Sequence, residues 1–308
     1  MSNNSLRRCV SAAAAATALL LTLAAAPSGR AQAREDFAPA DTLGMGDNVR
    51  ALVWGPSALY FNPAGLSRGR ALIAQAGYGY FDGRDGHAFT AAVVDAATNP
   101  HVAMGAGYGY ISSAVGGVDR DGHQFRSGIS TGYVTGDVGL YAGVGARYLG
   151  LTIGADDDDT GETNDVDAWT FDAGLLLDLA NRIKFAVVGA NLLDAKTGEA
   201  ARKLGLGLAF NFQTLEVTGD MELDLADRSE DTILRYGFGA QYGFGESFHA
   251  RIGVVFDQPR DEERLSGGLG FATLEWALDV GYSSAVSDPT NVAAVATFRY
   301  MPRISGGR

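Results

Sequence analysis

Cysteine is almost absent from this 308-residue sequence, and the single one, Cys9, lies near the N-terminus. Residues 1–33 have the three parts of a secretory signal peptide. Arg7 and Arg8 supply the positive charge, an Ala/Leu-rich apolar stretch follows, and Ala31-Gln32-Ala33 matches the small-x-small cleavage signal. Cleavage there would remove Cys9, so we expect a mature chain without disulfides, thiol catalysis or cysteine metal sites.

Positive charge and long apolar runs are also scarce. The chain has 24 Lys and Arg against 36 Asp and Glu, a formal net charge of −12. Because affinity for nucleic acid depends on neutralising phosphates with basic side chains, nucleic acid is excluded as a partner. Beyond the signal peptide, no segment approaches the roughly 18 apolar residues of a transmembrane helix.

Residues for catalysis are few and scattered. His87, His101, His123 and His249 are the only histidines, and no Gly-x-Ser-x-Gly element accompanies them, so we expect no enzyme. The acidic run at 156–159 offers oxygen ligands but lacks the ordered spacing of an EF-hand loop. We therefore predict no metal site and no cofactor.

What the sequence does have is a regular alternation of apolar and polar residues. This pattern is typical of β-strands that have one apolar and one polar face. On the segment 274–282, one face carries Leu274, Trp276, Leu278, Val280 and Tyr282. Most alternating segments are about 10 to 13 residues long, which is near the 9–11 that span a bilayer and longer than an ordinary strand. Fourteen such strands are predicted, at 70–81, 87–96, 101–112, 122–133, 138–153, 167–179, 182–193, 202–212, 214–225, 231–242, 247–257, 263–271, 273–283 and 290–301.

The connections alternate between longer polar loops and tight turns, as in barrels with outer loops and periplasmic turns. The fold class predicted for residues 70–308 is therefore all-β: a transmembrane antiparallel β-barrel of about 14 strands in the outer membrane. The 42 glycines, about twice the usual frequency, suit a tightly curved wall whose side chains must clear the lumen. Aromatic residues near strand ends are interpreted as membrane anchors: Tyr78, Tyr80, Tyr108, Tyr110, Trp276, Tyr282, Phe298 and Tyr300.

Charged residues within the strands are predicted to face the lumen, because a charge facing lipid at mid-membrane costs about 2–4 kcal/mol. These side chains either fill a hydrated interior or hold a plug. The residues assigned to the lumen are Arg126, Arg147, Glu216, Asp220, Glu222, Arg251, Glu275 and Asp279.

Residues 34–69 do not alternate. Their segment from Gly55 to Leu66, GPSALYFNPAGL, resembles the "D-A-S-A-L-Y-Y-N-P-A-G-L" element in the N-terminal hatch of FadL/TodX-type outer-membrane transporters and of related PorV-type barrels. The resemblance implies a luminal plug with a hinge at Asn62, Pro63, Ala64 and Gly65. Apolar residues of the plug would either contact a hydrophobic ligand or pack against the wall: Leu52, Trp54, Leu59, Tyr60, Phe61 and Leu66.

By this resemblance, the chain would pass hydrophobic or amphipathic, fatty-acid-like molecules across the outer membrane by hatch-gated diffusion. Two alternatives stay open: a PorV-type scaffold or carrier for secreted proteins or lipids, and a general porin. The expected partners are outer-membrane lipid, a hydrophobic small molecule, possibly a secreted protein, and the barrel insertion machinery. The final strand ends Phe298-Arg299-Tyr300, like the signal that this machinery reads, although residues 301–308 follow it.

Overall fold

A closed barrel dominates the structure, a computed structural model that describes residues 39–82, 85–115, 118–155, 165–193, 200–225, 233–258 and 261–303. The predicted signal peptide and the acidic run at 156–159 lie outside these residues. Each strand pairs antiparallel with its chain neighbours, and the first strand pairs with the last, from Ala74↔Tyr300 to Phe81↔Ala293. The prediction of a fourteen-stranded antiparallel barrel is confirmed. The strands are β1 (Leu72–Phe81), β2 (Gly86–Asp95), β3 (Val102–Val115), β4 (Val118–Thr135), β5 (Val138–Ala155), β6 (Val166–Leu179), β7 (Ile183–Ala190), β8 (Lys203–Phe212), β9 (Leu215–Asp224), β10 (Ile233–Phe244), β11 (Phe248–Asp257), β12 (Glu262–Ala272), β13 (Trp276–Ala285) and β14 (Val292–Tyr300).

The alternation in the sequence becomes an outer apolar face and an inner mixed face. Large apolar side chains point outward and are exposed, among them Leu269 (69%), Ile252 (64%) and Trp169 (60%). Residues next to them on the strands, such as Gly270, Gly253 and Ala168, are buried. In a bilayer these outer side chains contact lipid chains, and closure of the barrel gives the first and last strands a partner on both sides. None of the helices among the described residues has the length and apolarity needed to cross a membrane.

The two rims differ in their connections. On the short-turn rim, tight hairpins carry residues with positive φ, such as Gly136 (55°), Gln213 (69°) and Gly245 (67°), as two-residue β-turns require. The opposite rim carries the longer connections and is called the long-loop rim. There β4 and β5 pair over eighteen positions, from Val118↔Ala155 to Thr135↔Val138, so this side of the wall stands taller than its neighbours.

Residues 39–71, called the luminal segment, lie inside the barrel. They form α1 (Ala40–Leu43), a 3-10 turn (Gly55–Ser57), α2 (Ala58–Phe61) and a second 3-10 turn (Pro63–Ser67). α1 contacts β12 to β14, whereas the second 3-10 turn contacts β3 to β6. The segment therefore reaches across the lumen from one wall to the other.

Candidate functional site

The luminal segment turns sharply at Asn62. α2 ends at Phe61, and Asn62 is extended (φ −161°, ψ 104°) before the 3-10 turn that begins at Pro63. Proline favours this conformation in the residue before it, because its ring clashes with a helical neighbour. The Asn62 side chain fixes the turn: Oδ1 accepts from the Ala64 N–H at 3.1 Å, and Nδ2 donates to the Arg50 carbonyl at 3.0 Å. The predicted hinge is thus an ordered turn in this state.

Glycines in the wall make room for this turn. A Cβ added at Gly143 on β5 would lie 2.5 Å from the Pro63 carbonyl, and one at Gly174 on β6 would overlap the Asn62 amide oxygen. Gly65, the last predicted hinge residue, is itself too tightly packed for a Cβ. The backbone of the luminal segment therefore rests almost directly on the backbone of the wall, which a larger residue at these positions would prevent.

Arg50 anchors the luminal segment to β9. Its guanidinium lies 3.2 Å from Asp220 Oδ2 and also pairs with Glu222, and its backbone N–H donates to Asp220 Oδ2 at 3.0 Å. Lys203 pairs with Glu222 from the other side at 2.8 Å. Asp220 and Glu222 face the lumen as predicted from their alternation. Because buried charges are costly unless paired, this group of ions holds the segment strongly in place.

The opposite wall supplies a second anchor beneath α2. Arg126 on β4 donates to the Leu59 carbonyl at 3.3 Å and lies 3.6 Å from Asp172. Ser130 on the same strand donates to the Ala64 carbonyl at 3.1 Å. These contacts satisfy carbonyl groups at the end of α2 and around the hinge, which have few partners of their own within such short helices.

α1 is held by a chain of ion pairs along β11, β13 and β14. Asp41 lies 3.3 Å from Arg299, which lies 2.5 Å from Asp279, and Asp279 in turn lies 2.6 Å from Arg251. The Ala40 N–H also donates to the Thr297 hydroxyl at 2.9 Å. Asp279 and Arg251 are thus luminal, and they tie the wall to the start of the segment.

Two ionisable groups of the segment have pKa values shifted by burial. Burial raises the pKa of the Tyr60 hydroxyl, with Arg126 partly opposing this effect, so Tyr60 stays neutral. Burial lowers the pKa of the Arg68 guanidinium, an effect that Asp178 opposes. Arg68 remains a cation because even a lowered arginine pKa is far above neutrality. It donates to the Leu52 carbonyl at 2.5 Å and so has a structural contact.

The six apolar residues predicted to contact a ligand fall into three pairs. Leu59 and Leu66 are buried against the wall, Leu66 completely, so in this state they pack rather than face an open space. Leu52 and Trp54 line a cavity of about 300 Å³ near the short-turn rim, which also has many charged lining residues. Tyr60 and Phe61 are half-buried between these regions.

Seven of the eight predicted luminal polar residues lie inside the barrel, and the eighth, Glu275, does not. Arg147 donates to Gln124 at 2.9 Å, and Glu216 lies 3.7 Å from Lys184, both inside the wall. Glu275 was predicted on a strand, but β13 begins only at Trp276. Glu275 lies in the preceding turn at the short-turn rim, is exposed, and pairs with Arg303 at 2.9 Å.

The sequence reasoning missed an apolar zone inside the lumen toward the long-loop rim. Phe81, Ile111, Leu149 and Leu151 point inward from three strands and form one buried cluster with α1, against which Tyr60 packs. Charge marks the inner face of a strand in the sequence, but it gives no sign of apolar residues that also point inward. The signal was present in β5, where Leu149 and Leu151 share the alternation of the luminal Arg147.

The comparisons with known proteins agree with this architecture. Residues 87–283 match the family model described as "Outer membrane protein beta-barrel domain", which covers more than half of the chain. The chain belongs to this outer-membrane β-barrel family. It is accordingly an outer-membrane protein. A search of curated proteins found no significant match.

Solved structures similar to this outer-membrane barrel include two FadL-type hydrocarbon transporters. The toluene transporter TbuX of Ralstonia pickettii aligns with a TM-score of 0.60 and 16% identity, covering 86% of this chain and 98% of that one. The toluene transporter TodX of Pseudomonas putida aligns with a TM-score of 0.55 and 13% identity, covering 89% and 98%. At these identities the similarity shows a shared fold.

Proposed function

We propose that this barrel passes hydrophobic or amphipathic small molecules across the outer membrane, with the luminal segment as the gate. The observation that supports it most is the apolar luminal zone of Phe81, Ile111, Leu149 and Leu151, which leads from the long-loop rim to Tyr60 on the segment. These side chains are packed together, so an entering apolar molecule would have to part them; it would then exchange water for apolar surface, which favours its entry. The related barrels named as toluene transporters support the same substrate class.

The lower half of the lumen is a poor path for such a molecule. The cavity near the short-turn rim is lined by Arg68, Lys184, Glu216, Arg251 and Asp279, so an apolar solute there would separate paired charges or displace their water. We therefore place the exit in the wall, above this charged region, where the molecule would leave into the bilayer.

The seam between β6 and β7 is the best candidate for this exit. Its ladder joins only seven residue pairs, Ala173↔Gly189 to Leu179↔Ile183, the shortest pairing between described strands. An apolar groove of about 590 Å³ lies across the outer face of β4 to β7 and includes Gly174. Asn62 rests against the inner side of the same glycine. Movement of the hinge would therefore remove the support of the wall at its weakest pairing.

A reversible crosslink tests the gate. Ser67 on the segment and Ser130 on β4 have hydroxyl oxygens 2.8 Å apart, so S67C/S130C should form a disulfide that fixes the segment. The predicted mature chain has no other cysteine to interfere. Uptake of labelled toluene and oleate by cells should fall to background when the pair is oxidised and recover with reductant.

The matched control is S266C/S283C, which joins β12 to β13 within the wall, where the hydroxyls lie 3.0 Å apart. It should leave uptake unchanged. Unchanged uptake by oxidised S67C/S130C would contradict gating by the segment. A large steady conductance in the unlocked protein would instead indicate an open porin, and a co-purifying protein without any uptake would indicate a scaffold.

A further inference from the structure

A second feature, independent of the lumen, lies on the outer surface of β1 to β6. Outward-facing rings recur on each of these strands, and together they are called the aromatic band. Tyr78 lies 5.0 Å from Phe89, Tyr108 lies 5.0 Å from Phe125, and Tyr148 lies 5.1 Å from Trp169, measured between ring centroids. Phe125 and Tyr148, 6.2 Å apart, connect the second pair to the third.

Two tyrosine–histidine pairs repeat within the aromatic band. The Tyr78 hydroxyl lies 2.6 Å from His87 Nδ1 on the next strand, and the Tyr108 hydroxyl lies 2.5 Å from His123 Nδ1. In both pairs the rings are stacked, at 27° and 28°. The same side-chain arrangement thus occurs twice, on neighbouring hairpins.

A row of hydrogen-bonding groups lies directly above the aromatic band, toward the long-loop rim. The register places His87 opposite Ser112, Ser112 opposite Asp121, and Asp121 opposite Thr152, all on the outer face of β2 to β5. His87, Asp121 and Thr152 are exposed. β4 and β5 form the tall side of the wall, and on these two strands the row lies near their ends at the long-loop rim.

The distribution of the band differs from that of a general membrane anchor. An anchoring belt would be expected all around the barrel. Around β7 to β14, however, the described outward rings at this level are sparse, the main pair being Tyr236 and Phe256, 5.0 Å apart. On β1 to β6 the described outward positions carry no Lys or Arg. Such a surface has little attraction for phosphate, which basic side chains bind best.

We propose that the aromatic band and the row above it bind the sugar headgroup of an outer-leaflet glycolipid. Sugar rings have apolar C–H faces that pack on aromatic rings through dispersion and the ring quadrupole. Sugar hydroxyls both donate and accept hydrogen bonds, which suits a row of carboxylate, hydroxyl and imidazole groups such as Asp121, Thr152 and His87. The acyl chains of the same lipid would lie on the apolar outer wall below.

Native mass spectrometry of the full-length barrel tests this site, with rough lipopolysaccharide, its free core oligosaccharide and phosphatidylethanolamine as probes. The test variant H123A/D121N removes one imidazole and one carboxylate from the outer face. Loss of the hydrogen bonds that these two groups would make to the sugar should weaken lipopolysaccharide binding by about tenfold or more. The matched variant Y236L/F256L removes the outward rings on β10 and β11 and should bind like the original protein. Retained heat-modifiability on gels shows that each barrel is folded.

Competition by the free core oligosaccharide would support recognition of the sugar. Three results would overturn the proposal: equal weakening in both variants, lipopolysaccharide binding no stronger than phosphatidylethanolamine binding, or loss of binding on dephosphorylating the lipopolysaccharide. The last result would show that the surface recognises phosphate. Because uptake through the lumen uses none of these side chains, the outcome is independent of the proposed transport.

Discussion

Replacing Arg50 with methionine should release the luminal segment from β9. The substitution keeps an unbranched side chain about as long as the stem of arginine but removes the guanidinium that contacts Asp220 and Glu222. The Asp220 side chain is only 1% exposed, so water cannot readily replace the lost partner. Because the Arg50 carbonyl also accepts from Asn62, a loosened Arg50 should free the hinge as well.

The size of the effect follows from which partners remain. Removing one member of a buried ion pair typically costs about 3–5 kcal/mol. Here Glu222 keeps Lys203 at 2.8 Å, and Asp220 keeps the N–H of residue 50 at 3.0 Å, so we expect the lower end of that range. About 3 kcal/mol corresponds to a shift of roughly 100-fold in the equilibrium between the docked and released segment.

Hydrogen exchange measured by mass spectrometry on the purified protein gives the readout. Peptides covering residues 45–66 should exchange roughly 100-fold faster in R50M, since exchange follows the opening equilibrium, while the strands stay protected. The matched control is R264M, because Arg264 pairs with Glu262 at 2.6 Å entirely within the wall. Equal exchange of residues 45–66 in R50M and R264M would refute the view that Arg50 anchors the segment.

Three further outcomes are expected. G174A should displace Asn62 and raise leakage of small solutes in liposome swelling assays. Its control is G267A, whose added Cβ would lie 3.8 Å from the nearest atom; this variant should behave like the original protein. L149D puts a carboxylate into the apolar luminal zone and should cut toluene uptake by about tenfold or more, while L149M should retain it; equal uptake by both would argue against this route. Y300A should slow membrane insertion of the barrel without changing the finished fold; unchanged insertion kinetics, followed by heat-modifiability over time, would contradict a role for the aromatic C-terminal strand.

The strands of the wall could be predicted because the sequence pattern that marks each strand is local. Each strand needs only alternation over about ten residues and a turn at each end, and both are visible in a segment such as β13. The same locality explains why the alternation placed Glu275 on a strand and not in the turn before it. Alternation does not show where a hairpin stops, and the hydrogen bond from the Thr273 N–H to the Trp276 carbonyl ends the strand earlier than the side chains suggest.

The contents of the lumen could be predicted only in part. The NPAG turn was recognisable, and so was the row of acidic residues on β9. Their connection was not, because Arg50 and Asp220 are 170 positions apart and no local pattern marks them as partners. The abundance of glycine suggested a wall that clears its lumen, but only the register shows that Gly143 and Gly174 are the positions beneath the hinge.

The bond between the Ala40 N–H and the Thr297 hydroxyl spans 257 positions, and it has a consequence for biogenesis. Because Ala40 precedes the whole wall in the chain, it cannot find this partner until the final strand is present and the ring is nearly complete. Such a long-range contact forms late in folding, since the cost of closing the loop must be met first. In the folded protein, the luminal segment contacts both β14 and β4 to β6. It would therefore stabilise the closed barrel relative to an open sheet.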